Sequence, residues 1–460
     1  MDEINQQNFG VSENPGSYYP QDYSLESINF LTGSGERFDM KDIFIEISYY
    51  EDIYSFAVSG YVTILDAQGY IELLDLNGNE FLELKFGKIK GGSNGNSQTY
   101  RVYKVGNRKP TGNMNSETYT LYFCSEELLL SEQVKISKSY KGKEISKVIT
   151  NIMTEKLGVN PKKLFIEETM GIYDFIVPRL KPFEAISWLT SYARPKASKT
   201  IGADMLFYET KDGFYCRSLQ SLFQDSPYAT YKYQQQNIDV DVQSFQDKTI
   251  SVLDYEFVKV YDMMDDISSG TYANRLISID PMARTSKVTD FDYKKYKPQA
   301  KTLNPGDPSN TLKNRLGFTQ NQSFDSSFKV ATGNAFQQDE PYIKQAVGGV
   351  AKNIAIETYV PNRTAQISLA NYTVIKAKIP GDPGITAGRT INFNLLTLKP
   401  TATTKELDSF YSGKYLVTAI RHIIQPTAFQ TVLEIAKDST PTKYSGIDNN
   451  SSVWQSIVKL

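Results

Sequence analysis

Acidic side chains spaced two residues apart are the first candidates for chemistry in this 460-residue sequence. Asp239 and Asp241 form one such pair, and Asp290 and Asp292 form another. Residues i and i+2 of a strand lie on the same face, and glycoside hydrolysis needs an acid and a second carboxylate at a defined separation. A cell-wall-degrading enzyme is therefore one hypothesis, although solvated carboxylates are the commoner explanation for such spacing.

The only histidine, His422, lies within an apolar segment between Arg421 and Ile423. Most acid–base and nucleophilic mechanisms depend on histidine, and a typical zinc site needs further His or Cys ligands. A single histidine without nearby cysteines therefore predicts a structural or interface role. We predict no catalytic residue and no metal site.

Two other segments resemble cofactor motifs only in part. Asp75–Glu80 starts like a calcium loop, but its sixth position is Glu80 and not the glycine that the loop requires. The glycine-rich segment 91–97 has neither the lysine nor the following helix of a phosphate-binding loop. We therefore predict a turn, a loop and no cofactor.

The composition excludes several classes of protein. The 50 basic and 52 acidic side chains nearly balance, so no basic surface is available to hold a nucleic acid. Cys124 and Cys216 are far apart, which fits a protein made in a reducing compartment. No apolar run reaches the roughly 18 residues of a membrane span, so membrane insertion is not expected. The 31 tyrosines and 24 phenylalanines favour β-structure and subunit interfaces, and also admit a carbohydrate-binding module.

The elements that carry these residues follow one pattern twice. The segment 413–437 reads as two strands joined by a turn at 425–428, and 99–124 has the same form. Each hairpin follows a strand, a glycine turn and a second strand, at 56–86 and at 372–396. We therefore predict an internal duplication of a four-stranded antiparallel unit.

Helical spacing appears between the two copies. The apolar residues from Ile145 to Leu157 predict an amphipathic helix that ends at Gly158, and Pro182 begins a second, largely buried helix. A hairpin with its turn at Asp212–Gly213 follows. Ordered structure is expected from about Phe38 onward, and a helix is expected at 342–356.

Four groups of segments carry a resemblance to a known family, and together they span most of residues 40–437: Tyr50–Gly60 with Val62–Asp66, Lys181–Leu189 with Phe207–Phe214, Asp262–Asp280, and Ser412–His422. In their order and spacing the chain resembles the central hub subunit of contractile-tailed bacteriophage baseplates. That family is related to the N-terminal part of type VI secretion spike proteins. The polar insertion at 298–340 and both termini match no motif of the family.

The resemblance implies a mixed, mainly β fold, with two tube-type antiparallel β-barrels and an inserted α+β domain. The expected divisions are a flexible arm at 1–24, a first tube barrel at 25–133, the inserted domain at 134–235, strands completing the barrels at 236–297, a polar surface insertion at 298–340, a second tube barrel at 341–437 and a C-terminal tail at 438–460.

The resemblance also implies a structural, non-enzymatic role in the virion tail baseplate. Three copies would form a ring of six similar barrels that adapts a three-fold central spike to the six-fold tail tube. The partners would be further copies of the chain, the tube and spike proteins, and baseplate wedge and tape-measure proteins, while DNA would only pass through the axial channel. Six candidate interface residues come from the last hairpin and the C-terminal tail: Tyr415, Val417, Arg421, His422, Trp454 and Ile457.

Overall fold

The computed structural model describes residues 23–73, 76, 78–88, 96–112, 116–196, 204–233, 251–280, 284–307, 328–332, 359–397 and 406–442. The predicted helix at 342–356 lies outside these residues, as do most of the predicted arm at 1–24 and most of the tail at 438–460.

Strands dominate the described chain, as the alternating sequence pattern predicts. In chain order they are β1 (Tyr23–Leu31), β2 (Arg37–Asp39), β3 (Phe44–Asp52), β4 (Ser59–Asp66), β5 (Phe81–Lys88), β6 (Asn96–Pro110), β7 (Glu117–Cys124), β8 (Ile136–Lys143), β9 (Leu164–Ile166), β10 (Tyr173–Leu180), β11 (Met205–Thr210), β12 (Gly213–Ser218), β13 (Thr230–Lys232), β14 (Asp254–Lys259), β15 (Ala273–Asp280), β16 (Thr285–Asp292), β17 (Phe328–Thr332), β18 (Thr373–Pro380), β19 (Thr390–Asn394), β20 (Gly413–Gln425) and β21 (Ala428–Lys437).

The helices are short and lie mostly between the two groups of long strands. They are α1 (Tyr70–Leu73), α2 (Glu126–Gln133), α3 (Ile145–Lys156), α4 (Pro182–Thr190), α5 (Leu219–Gln224), α6 (Met263–Ser268), α7 (Tyr293–Tyr296) and α8 (Val360–Ala370). Single 3-10 turns occupy Pro161–Lys163 and Lys297–Gln299.

A 13-stranded sheet forms the main body of the chain. Its strands follow the order β14-β18-β21-β20-β3-β4-β7-β6-β5-β1-β2, and β19 and β13 branch from β20. Most of the pairs are antiparallel, and β13–β19 is parallel. The predicted mainly β architecture is therefore confirmed, while closure of the strands into two barrels stays a prediction.

The predicted duplication is visible in the strand connections. We call β4–β5–β6–β7 repeat 1 and β18–β19–β20–β21 repeat 2. In both repeats the first strand pairs with the fourth, the fourth with the third and the third with the second, always antiparallel. An additional strand, β3 or β14, pairs with the first strand of each repeat.

The two repeats also share their register. The third strand of each carries a one-residue bulge, at Tyr103 in β6 and at Thr418 in β20. Three residues before the bulge, a buried tyrosine faces an apolar residue of the second strand. These pairs are Tyr100–Leu82 and Tyr415–Ile391. Because a slip of one residue would turn every core side chain outward, the common register means that both repeats bury equivalent positions.

Each repeat has its own apolar core. The repeat 1 cluster includes Val62, Leu84, Tyr100 and Phe123. The repeat 2 cluster is built from equivalent strands and includes Tyr415. The first turn of each repeat is held by a buried aspartate, since Asp66 accepts hydrogen bonds from the backbone N–H groups that follow it and Asp382 does the same.

The segment between the repeats, which we call the inserted unit, combines helices with small sheets. Helices α3 and α4 pack over two small sheets, β8–β10 and β9–β12–β11, with apolar side chains such as Ile149, Ile186 and Phe207 in one cluster. Gly158 ends α3 with a φ of 68°, as its position in the sequence predicts. Both predicted helices are confirmed.

Two expectations about local structure are wrong. Ordered structure begins at β1, before Phe38. The two-residue loop of the β11–β12 hairpin is Lys211–Asp212, because Thr210 pairs with Gly213. Gly213 is required there because a Cβ atom would lie 2.3 Å from the backbone oxygen of Lys163. The polar region 298–340 contains β17, which pairs with β15, and its predicted place on the surface stays a prediction.

Candidate functional site at the junction of the repeats

Strand β20 joins the two repeats by changing its neighbour partway along its length. Residues Gly413–Leu416 pair with β19 of repeat 2. Residues Ala419–Ile424 pair instead with Ile47–Asp52 of β3, on the repeat 1 side. One strand therefore fixes the orientation of one repeat relative to the other.

Glu51, in β3, lies where three parts of the chain meet. Its Oε1 accepts hydrogen bonds from the Tyr49 hydroxyl at 3.0 Å and from the Lys211 backbone N–H at 2.8 Å. Its Oε2 accepts one from the Ala387 backbone N–H at 2.9 Å. Lys211 belongs to the inserted unit and Ala387 to the first turn of repeat 2, so one carboxylate links both units to β3.

The electrostatics of this junction follow from its burial. Loss of water raises the pKa of Glu51 to about 7, although the three hydrogen bonds oppose that shift. The Lys211 ammonium donates to the Pro383 carbonyl oxygen at 2.6 Å, and burial lowers its pKa. The junction is thus a hydrogen-bonded polar network inside the chain.

A second buried carboxylate, Glu209, attaches the inserted unit to repeat 1. Its Oε2 accepts a hydrogen bond from the Val58 backbone N–H at 2.8 Å and another from the Ser125 hydroxyl. Burial raises the pKa of Glu209 to about 8, against an ordinary value of 4.5. The folded state therefore holds the proton of this group more tightly than the unfolded chain does.

This difference predicts a pH dependence of stability. Between about pH 4.5 and 8 the unfolded chain releases the Glu209 proton and the folded chain keeps it, so stability falls as the pH rises through this window. Glu209→Gln keeps an oxygen acceptor and removes the titration. The variant should match the parent protein at pH 4.5 and exceed its free energy of unfolding at pH 9, by at most about 5 kcal/mol.

Urea denaturation at several pH values measures this effect. Glu36→Gln changes an exposed carboxylate in the turn between β1 and β2, and it should follow the parent protein at every pH. A Glu209→Gln variant whose stability difference from the parent is the same at pH 4.5 and pH 9 would contradict the prediction.

The candidate interface residues of the last hairpin lie on two sides of the sheet. Tyr415 and Val417 point into the repeat 2 core. His422 is buried as well, and its ring stacks on Tyr49 with centroids 5.8 Å apart while Nδ1 lies 2.9 Å from the Thr431 hydroxyl. Burial lowers the pKa of His422 to about 3, so the imidazole is neutral at physiological pH.

Arg421 lies on the opposite face of β20 and is half-buried. Its guanidinium contacts Glu46 at 3.3 Å and donates to the hydroxyls of Ser48 and Tyr61 at 3.0 Å. The residue thus fastens β20 to the outer side of β3 and β4 within one chain. A role in contacts with other subunits stays a prediction for all four hairpin residues, and Trp454 and Ile457 lie outside the described residues.

The described carboxylate pair has local structural partners. Asp290 forms an ion pair with Arg275 at 2.7 Å, and Asp292 accepts from the Lys294 backbone N–H at the start of α7. Asp239 and Asp241 lie outside the described residues. Among the described residues, no three His, Cys, Asp or Glu side chains come together in a way that suits a metal ion. The described helices include none that is long and apolar enough to cross a membrane.

Sequence reasoning missed the Glu51 junction, although a signal was present. Ile47, Tyr49 and Glu51 alternate along β3, so they share one face. Two of the three are core residues, which places the carboxylate on the buried side. An acidic residue in phase with core residues is therefore a useful sign of an internal polar network.

The chain is similar to known proteins in sequence and in fold. No family model matches the sequence. The probable baseplate hub protein gp334 of Vibrio phage KVP40 is 25% identical over 396 residues, covering 83% of this chain and 87% of that protein. The crystal structure of the tail protein from Neisseria meningitidis MC58 has a TM-score of 0.50 at 12% identity, covering 91% of this chain and 98% of that one. A 43 kDa tail protein of prophage MuSo2 from Shewanella oneidensis has a TM-score of 0.47 at 8% identity, covering 90% and 98%.

The sequence match covers most of the two proteins. The structural match at a TM-score of 0.50 extends the same fold to a tail protein of a different source. The resemblance found in the sequence is confirmed, since the chain is similar over most of its length to a probable baseplate hub protein of a bacteriophage.

Proposed function

We propose that three copies of this chain form a ring in a virion tail baseplate and adapt a three-fold spike to a six-fold tail tube. The observation that carries the proposal is the common strand order and register of repeats 1 and 2. A ring of three such chains presents six similar units around its axis, which is the number that a six-fold partner needs.

Closure of each repeat into a tube-type barrel belongs to the same proposal. In repeat 2, Lys232 of β13 forms an isolated bridge with Ser251, just before β14. Leu253 then donates its backbone N–H to the Lys378 carbonyl oxygen of β18, at 2.7 Å. These contacts connect β13, which lies beside β19, with the segment that leads into β14, which lies beside β18. Closing a sheet into a barrel in this way reduces the number of exposed strand edges.

The partners follow from the ring. One face would receive the tail tube protein and the other the central spike, while wedge and tape-measure proteins would contact the periphery or the channel. DNA would pass along the axis without being held, since the 50 basic and 52 acidic side chains leave no excess of positive charge. The chain would act as a structural part, and assembly would take place in the host bacterial cytoplasm.

Mass measurement in solution tests the ring. Native mass spectrometry and sedimentation at micromolar concentration should give three times the 51.9 kDa chain mass, alone or after addition of the spike partner. A monomer under both conditions would overturn the ring.

A further inference from the structure

The two long strands β6 and β20 are equivalent, but among the described strands only β20 has neighbours along both sides of its length. The first part of each pairs with the second strand of its repeat, through Phe81–Phe86 for β6 and Thr390–Phe393 for β20. Beyond the bulge, β20 pairs with β3. The corresponding side of β6, residues 104–110, faces no strand within the described residues.

Burial follows this difference in pairing. Ile420 of β20 is 1% exposed, whereas its counterpart in β6, Val105, is 37% exposed. The neighbouring bulge residue Tyr103 is 48% exposed. Apolar side chains at a free strand edge indicate a place where another strand adds to the sheet.

The other end of the same sheet has a matching edge. Strand β14 is the repeat 2 counterpart of β3, and within the described residues β18 is its only neighbouring strand. Val258 is 51% exposed and Tyr261 is 64% exposed. Strands β20 and β3 pair with each other inside the chain. Their equivalents in the opposite repeats, β6 and β14, each have an edge that pairs with no other described strand.

We propose that residues 104–110 of one copy pair antiparallel with 255–261 of a second copy, in the register of the internal β20–β3 junction. The inference rests on the proposed ring and specifies how its copies meet. When the register of β20 and β3 is applied to their equivalents β6 and β14, Gly106 lies opposite Lys259 and Lys109 lies opposite Glu256.

Two local irregularities fit each other under this pairing. Strand β6 carries one extra residue between Gly106 and Lys109, relative to its neighbour β7. Strand β14 carries one extra residue between Phe257 and Lys259, relative to β18. Each insertion is absent from the corresponding part of the other repeat. Opposite one another, the two insertions cancel and the register continues without a slip.

The charges at the two edges are complementary. The β6 edge contributes exposed Lys104, Arg108 and Lys109, while the β14 edge contributes exposed Asp254 and Glu256. In the internal junction, Arg421 contacts Glu46 at 3.3 Å, and Asp254 is the register equivalent of Glu46. Unlike charges across an edge favour the correct partner and register.

Cross-linking tests the pairing directly. The double variant Lys109→Cys with Glu256→Cys should form disulfide-linked dimers and trimers under mild oxidation, and the series should end at the trimer. The matched control, Lys104→Cys with Glu256→Cys, is five residues out of register, a separation of roughly 16 Å. It should cross-link at least about tenfold more slowly, because a disulfide needs Cα atoms within about 7 Å. The native Cys124 and Cys216 are both buried and should not contribute.

Charge reversal gives an independent readout. Lys109→Glu should weaken self-association about tenfold, since it places like charges opposite each other. Addition of Glu256→Lys should restore association to within about threefold of the parent. A trimer by mass with cross-linking no faster than the control would overturn this pairing and leave the ring intact. A monomer by mass would overturn both.

Discussion

Replacing Glu51 with alanine is expected to lower the free energy of unfolding by roughly 3–5 kcal/mol, because three buried donors lose their acceptor together. These are the Tyr49 hydroxyl and the backbone N–H groups of Lys211 and Ala387. Burial raises the pKa of Glu51 to about 7, so at alkaline pH the folded parent protein carries a costly buried charge. The alanine variant lacks that charge, and its loss of stability should therefore be smaller at alkaline pH. Urea denaturation measures the total, and hydrogen exchange at the Lys211 and Ala387 amides measures the local loosening.

Glu51→Gln is the matched control for this prediction. The amide oxygen can still accept from Tyr49 and Lys211, while its nitrogen faces the Ala387 N–H and cannot accept. The expected loss is therefore smaller, roughly 1–2 kcal/mol, with faster exchange at Ala387 alone. An alanine variant within 1 kcal/mol of the parent protein, with unchanged exchange at both amides, would rule out Glu51 as the link between the three parts.

The junction would matter for the proposed ring, because a ring closes only if the angle between its units is fixed. β20 joins the repeats through backbone hydrogen bonds, and Glu51 adds the inserted unit to the same point. Buried carboxylates are costly, so their presence here suits a position where orientation matters more than stability. The proposed contact between copies reuses this internal geometry at the outer edges.

Most of the repeat architecture could be predicted from the sequence, because alternation reports directly on strand faces. The strands at 413–437 and 99–124 have the predicted hairpin form. The first strand was missed because of a bulge between Leu25 and Ser27. The bulge moves the next buried residue to Ile28, three positions on, and so breaks the two-residue period.

The polar junction was harder to predict because its partners are remote in sequence. Ala387 is 336 residues from Glu51, and Lys211 is 160 residues away. Nothing in a local pattern specifies which donors will meet a buried carboxylate. The burial of Tyr415 and Val417 was predictable from alternation, since both lie in phase along β20.

Gly60 should be the least tolerant position in repeat 1. An added Cβ atom would lie 2.3 Å from the Phe123 ring and 2.4 Å from the Ser48 carbonyl oxygen, well inside normal contact. Gly60→Ala should therefore cost more than about 3 kcal/mol, since a well-packed core resists even one added carbon. Gly60→Val should prevent folding of the repeat, measured as loss of soluble protein and of the urea transition.

The control is Gly112→Ala, where an added Cβ atom meets nothing within 4 Å, and its effect should be within about 0.5 kcal/mol. In repeat 2 the counterparts of Gly60 and Phe123 are Ile375 and Ile435, two side chains of equal size. Repeat 1 instead pairs a glycine with a large ring, so the ring itself can be tested as the reason for the glycine. Trimming the ring with Phe123→Leu should therefore recover part of the Gly60→Ala loss, by about 1 kcal/mol of coupling. Full additivity of the two changes would mean that the contact with the Ser48 backbone, and not the ring, is what requires glycine.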